Sequence, residues 1–224
     1  FTIAGAQLIT TQRFQLVEGF SPLQAGLLVA AIALGALPSG LLGAAFLDTL
    51  GLRLIISGGL GVGALGLLLS ITAVATDTFA LLVAGFVVTG LGLGGAFSVA
   101  SSAIMGNAHP RKAGMAASVE EVSYEMGSLS AVAVLGSLLT FVYAFTVQLP
   151  NGSPDAARES LADALAVADG NSEVIAAANT AFDTAYLVTM IVLGVVLAVG
   201  AGVTNRLLRA YGRNSQAMEF AENH

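Results

Sequence analysis

From Phe79 to Ile104 the sequence runs without one charged side chain. An α-helix needs about 20 apolar residues to cross the roughly 30 Å hydrocarbon layer of a bilayer, and this run exceeds that. In lipid no water is present to satisfy backbone N–H and C=O groups, so the crossing segment must bond to itself as a helix. Several further runs of this kind follow one another along the chain, which predicts an all-α membrane protein. Composition agrees, with 56% hydrophobic and 10% charged residues and a mean hydropathy of +0.85, against about 25% charged residues in a typical soluble domain. Twenty-seven glycines against five prolines suit helices that approach backbone to backbone, because small residues take over from the hydrophobic effect as the basis of packing in lipid.

Taken in order, the runs predict a six-helix transmembrane bundle with spans at 1–17 (partial), 22–46, 54–74, 79–104, 113–142 and 182–208, an external loop at 145–180 and a cytoplasmic tail at 209–224. The chain opens at Phe1 inside an apolar run, with neither initiator Met nor signal peptide, and reads as a fragment of something longer. Gln7, Gln12, Arg13 and Gln15 are polar for a lipid-facing helix, so the first span is expected to line water or protein. Ser21-Pro22-Leu23-Gln24 has the Ser-x-x-Gln capping pattern with Pro at the first helical position, which starts the second span. Pro38 and Gly40 predict a kink within it. The external loop is too polar to span; Ser153-Pro154-Asp155 should open a short amphipathic helix reaching Ala168.

Strict alternation of the spans puts Arg53, Arg111, Lys112, Arg206, Arg209 and Arg213 on one side. Short connections rich in Lys and Arg stay cytoplasmic, so that side is expected to face the cytoplasm in a multi-pass protein of the cytoplasmic membrane. Cysteine is absent, which excludes thiolate metal sites and disulfides. The two histidines have no metal-ligand spacing, and no metal or other cofactor is expected. The net charge of −6 argues against nucleic acid as a partner. The expected partners are the lipid bilayer and a small-molecule substrate.

The fifth span carries the functional signal. Glu120, Glu121 and Glu125 stand within six positions of a segment otherwise apolar enough to cross a membrane, and one carboxylate at the centre of a spanning helix costs about 2.5–3.5 kcal/mol on insertion scales. At ~100° per residue, Ser118, Glu121, Glu125 and Ser128 fall within about 80° of arc, and Tyr124 and Glu120 extend the stripe. Met115, Val119, Val122, Met126 and Leu129 take the other side. At ~1.5 Å per residue from Arg111, Glu121 lies about 15 Å in, near mid-depth. A water-poor setting favours the protonated form of a carboxyl and crowding of acids adds to this, so proton and cation would compete for one set of oxygens. The competing reading is that these acids pair with bases elsewhere and only hold helices together. Against it, no Lys or Arg is expected at matching depth.

The segments QLVEGFSPLQAGL at 15–27, DTLGLR at 48–53, TGLGLGGAF at 89–97 and AGMAASVEEVSYEMGSLSAVAVLG at 113–136 together resemble the C-terminal half of a drug:proton antiporter-2 transporter of the major facilitator superfamily. The resemblance covers almost the whole chain. It implies a fourteen-helix protein whose N-terminal half is a missing partner of this chain. It also implies proton-coupled efflux of lipophilic, cationic drugs, with Glu120 and Glu121 matching an adjacent pair of acids and Glu125 matching a third four residues on. Some relatives place a further acid in the span matching Leu27–Phe46, and this span has none. Asp48, Gly51 and Arg53 resemble a degenerate copy of a cytoplasmic gating motif in which an acid and a base pair across the mouth; an ordinary polar turn is the alternative.

Tyr124, Gln12 and Gln15 are candidate substrate contacts. The glycine-rich run at 90–94 is read as packing, since no strand or Lys makes it a phosphate loop. An enzyme is not expected, because acid–base hydrolysis needs carboxyls on facing elements around a water and no second intramembrane acid on another helix is evident. The rival functions are export of another metabolite, siderophore or lipid, and a non-transporting membrane scaffold.

Overall fold

The computed structural model describes residues 1–210, apart from the side chains of Ala44, Asp48 and Ala210. Among the described residues all regular structure is helical, as the apolar runs require: α1 Thr2–Leu16, α2 Pro22–Ala45, α3 Leu47–Ala75, α4 Phe79–Gly106, α5 Ala113–Thr146, α6 Leu161–Val167 and α7 Ser172–Leu207, with short 3-10 turns at Pro110–Lys112, Asp155–Arg158 and Leu208–Ala210. Five of these helices, α2, α3, α4, α5 and α7, contain stretches long and apolar enough to cross a membrane. Most of the tail expected at 209–224, Arg213 included, lies outside the described residues.

α2 begins as its sequence dictates. The Ser21 hydroxyl accepts from the Gln24 backbone N–H at 3.3 Å while Gln24 Oε1 accepts from the Ser21 N–H at 2.8 Å, a reciprocal cap that satisfies two of the N–H groups a helix start leaves open. The helix continues through Pro38, and Ser39 Oγ donates to the carbonyls of Gly35 and Ala36 beside it. Proline takes the backbone donor from the Leu34 carbonyl, and the Ser39 hydroxyl bonds two of the carbonyls next to it.

Three stretches differ from the expected ones. The polar turn at 48–53 shrinks to a break at Gly51 (φ 77°, ψ 154°) inside α3, a backbone region open essentially only to glycine. The last long helix starts at Ser172 rather than Phe182. Asn171 Oδ1 caps it by accepting from the N–H groups of Glu173 and Val174, and Val174, Ala178 and Ala181 give its first turns a buried face. Hydropathy alone misses such a start, because alanine is an excellent helix former that hardly registers as apolar. The expected amphipathic helix is also shorter: a 3-10 turn at Asp155–Arg158, then α6, with Ser160 accepting from the Asp163 N–H at its start.

Contacts divide the chain into two compact units. Unit 1 comprises Phe1–Val29 and Gly127–Val192; unit 2 comprises Ala30–Met126 and the residues from Leu193 on. Within unit 2, α4 is gripped from two sides by backbone. A methyl group added at Gly90 would overlap the Ile32 carbonyl of α2, and one added at Gly66 of α3 would overlap Thr89 and the Gly85 carbonyl of α4. Only the bare backbone of glycine permits this approach, the geometry small-residue motifs serve in membranes.

Candidate functional site

α5 starts just after a turn fixed by His109, whose Nδ1 accepts from the Arg111 backbone N–H at 3.2 Å. Along its first half, Ser118 and Ser123 donate their hydroxyls back to the Gly114 and Val119 carbonyls of the helix. These hydroxyls are therefore committed, and neither is bonded to a glutamate. Glu121 and Glu125 are exposed, one turn apart, and Glu120 is half-buried. Among the described residues none of the three carboxylates enters an ion pair or hydrogen bond. Tyr124 meets Phe97 of α4 edge to face, with ring centroids 5.7 Å apart.

The side opposite the acids is apolar, as expected, and open: Met115, Val119, Val122, Met126 and Leu129 are each at least 60% exposed. Burial begins only at Ala131 and then recurs at Leu135, Leu139 and Tyr143, a four-residue spacing that keeps one stripe against the bundle.

In the Asp48-x-x-Gly51-x-Arg53 segment, the Asp48 side chain lies outside the described residues. Arg53 donates from Nε to Asn205 Oδ1 of α7 at 2.8 Å, a neutral partner that sequence reading did not name. This contact brings the start of α3 to the end of α7, so Arg53 and Arg206 gather at one end of unit 2.

A charged cluster in unit 1 went unrecognised in the sequence. Arg13 of α1, 9% exposed along its side chain, donates from Nε to Asp183 Oδ1 of α7 at 2.8 Å, and its Nη1 lies 3.3 Å from Glu18. Its guanidinium stands over the rings of Phe14 and Tyr186, at 5.1 and 5.5 Å from their centroids. The buried Tyr186 hydroxyl shares a hydrogen bond with Thr10 at 3.3 Å. Asp183 thus corrects the expectation that no acid on another helix lies within a membrane-length segment. Its signal was present: Asp183 and Tyr186, three positions apart, share a face of α7, and Arg13 stood as a lone base in α1. Of the two glutamines expected to touch substrate, Gln12 borders a cavity in unit 1, and Gln15 is half-buried with no side-chain partner among the described residues.

No group of three or more Asp, Glu, His or Cys side chains placed to hold a metal ion occurs among the described residues. What α5 offers chemically is three carboxylates with no counter-charge beside them among the described residues.

Residues 6–150 match the family model of the Major Facilitator Superfamily. The chain is 32% identical over 212 residues to the multidrug efflux pump LfrA of Mycolicibacterium smegmatis, an alignment covering 88% of this chain and 42% of the pump. It is 30% identical over 219 residues to the methyl viologen resistance protein SmvA of Salmonella typhimurium, covering 89% of this chain and 43% of that protein. The chain therefore spans less than half the length of these curated relatives.

Proposed function

Because the chain belongs to the major facilitator superfamily, we propose that it forms the C-terminal bundle of a proton-coupled exporter of lipophilic cations, of the drug:proton antiporter-2 type, working in the cytoplasmic membrane with an N-terminal bundle. The observation that carries this reading is the first half of α5, where three carboxylates within six positions of a membrane-length apolar helix have no neutralising partner among the described residues. Negative charge is held in such a segment at substantial cost. An exchange site accounts for that cost: a cation entering from one side displaces protons, and protons entering from the other displace the cation. One relative is a multidrug efflux pump and the other a methyl viologen resistance protein; methyl viologen is an organic dication, which fits a positively charged cargo.

In this reading Glu121 and Glu125 hold the cation, with Glu120 taking up a proton beside them. Tyr124 offers the cargo a ring. Alternating access comes from rocking of two bundles about a midplane site, so this bundle alone does not transport. Arg53 serves the cytoplasmic gate by exchanging Asn205 for Asp48 as the protein changes its facing state.

The test is Glu121→Gln in the intact protein, which keeps the side chain's size and removes its charge. Efflux of methyl viologen driven by a pH gradient is expected to stop while the amount of protein in the membrane stays unchanged. Undiminished efflux overturns the assignment.

A further inference from the structure

Unit 1 holds a cavity of about 240 Å³ that the glutamate site does not use. Its walls come from α1, α5, α6 and α7, and the informative residues are Gln12, Thr140, Tyr143, Ser160, Leu161 and Phe182. The side formed by residues 155–167 is a fixed wall. Tyr143 Oη donates to the Ala157 carbonyl at 2.9 Å, Ala157, Leu161 and Ala164 are buried, and Ser160 bonds the carboxylate of Asp163 as well as accepting from its N–H.

The chemistry of the walls selects a class of ligand. Tyr143 and Phe182 meet at 63° with ring centroids 6.5 Å apart, forming an aromatic corner of the kind that attracts an onium group through ring quadrupoles. The Gln12 amide has no side-chain partner among the described residues and leaves a polar contact open to a ligand. No acid lines the cavity, so a small, strongly hydrated metal ion has no ligand set there. Around it the chain is acidic: residues 145–180 carry Asp155, Glu159, Asp163, Asp169 and Glu173 against the single base Arg158, a field that concentrates cations and repels anions. Weak charge in the walls, aromatic surface and an acidic approach together favour a bulky organic cation over an inorganic one.

We propose that this cavity is a second binding site, for a single-ring quaternary ammonium ion, formed by α1, α5 and α7 and closed by residues 155–167. The choice of a lipophilic cation rests on the export reading, whereas the site itself rests on the cavity.

The experiment uses the intact protein in lipid nanodiscs and the photoprobe 4-azidobenzyltrimethylammonium, with crosslinks mapped by peptide mass spectrometry and competition by benzyltrimethylammonium. Crosslinks are expected on peptides bearing Tyr143, Leu161 or Phe182, and to disappear under competition. Gln12→Ala, at a half-buried amide that supports no other side chain, and Phe182→Leu are each expected to lower this labelling about fivefold, the loss of one hydrogen bond in the first case and of one partly screened cation–π contact in the second. Glu121→Gln is expected to leave it unchanged. Labelling absent from these peptides, or insensitive to both cavity variants, overturns the proposal even where efflux is intact. Labelling that persists in an intact protein showing no efflux of organic cations refutes the export reading and leaves the cavity standing.

Discussion

Removing the Asp183 carboxylate should destabilise the protein far more than removing Glu18, although both acids pair with the same guanidinium. Arg13 is 9% exposed along its side chain, and its short bond, 2.8 Å from Nε, goes to Asp183; Glu18 stands 3.3 Å from Nη1 and is 41% exposed. Hydrogen bonds to charged groups contribute about 1.5–3 kcal/mol, and stripping one partner from a fully buried pair costs about 3–5 kcal/mol because a bare charge remains. Asp183 is itself 37% exposed, so water shares the screening and the lower range applies, about 1.5–2.5 kcal/mol for Asp183→Ala. Glu18→Ala falls with surface pairs, at about 0–1 kcal/mol. Replacing the pair together, Arg13→Met with Asp183→Leu, leaves no orphan charge and should recover most of the loss, since apolar substitutes for buried pairs are often neutral or better. Thermal unfolding of the purified intact protein in detergent, followed by tyrosine fluorescence, measures all three variants alongside the parent. The reasoning fails if Asp183→Ala is no less stable than Glu18→Ala, or if the double replacement is worse than Asp183→Ala alone.

Gly90→Ala places a methyl group against the Ile32 carbonyl of α2, and overpacking of this kind costs about 1–3 kcal/mol; a lowered unfolding temperature of the intact protein checks it, with Gly58→Ala, where an added methyl meets nothing, as the neutral control. Ser160→Ala removes the cap of α6 at about 1 kcal/mol, and hydrogen exchange at residues 161–167 should speed up while α7 stays protected. Gly51→Ala forces a side chain into φ 77°, a strain of about 1–3 kcal/mol, visible as lower stability and slower efflux in the intact protein.

The helical class and the course of most helices were legible because each rests on a local rule: apolar length for the spans and a Ser-x-x-Gln signature for the start of α2. The glycine ladders were legible as packing for the same reason, since small residues in apolar helices have one common use. Two things were not local. Ser172–Ala181 is alanine-rich and polar enough to look like loop, and its helicity depends on the Asn171 cap and on a face buried by other segments. The Arg13–Asp183 pair joins residues 170 positions apart, and nothing in either neighbourhood names the other. The α5 glutamates stood out because their cost is local, whereas their partners are not written beside them. Hence the candidate residues on α5 stood out in the sequence, whereas the cluster around Arg13 did not.

The interlock of α4 with α2 and α3 constrains how the protein can vary. A seam of carbonyl oxygen against bare Cα leaves no slack for a bulkier residue, so that slab has to be carried as one piece through any cycle of motion and inherited almost unaltered. Variants selected for a changed drug range should accumulate on α1, α5 and α7, and leave Gly66, Gly85 and Gly90 untouched.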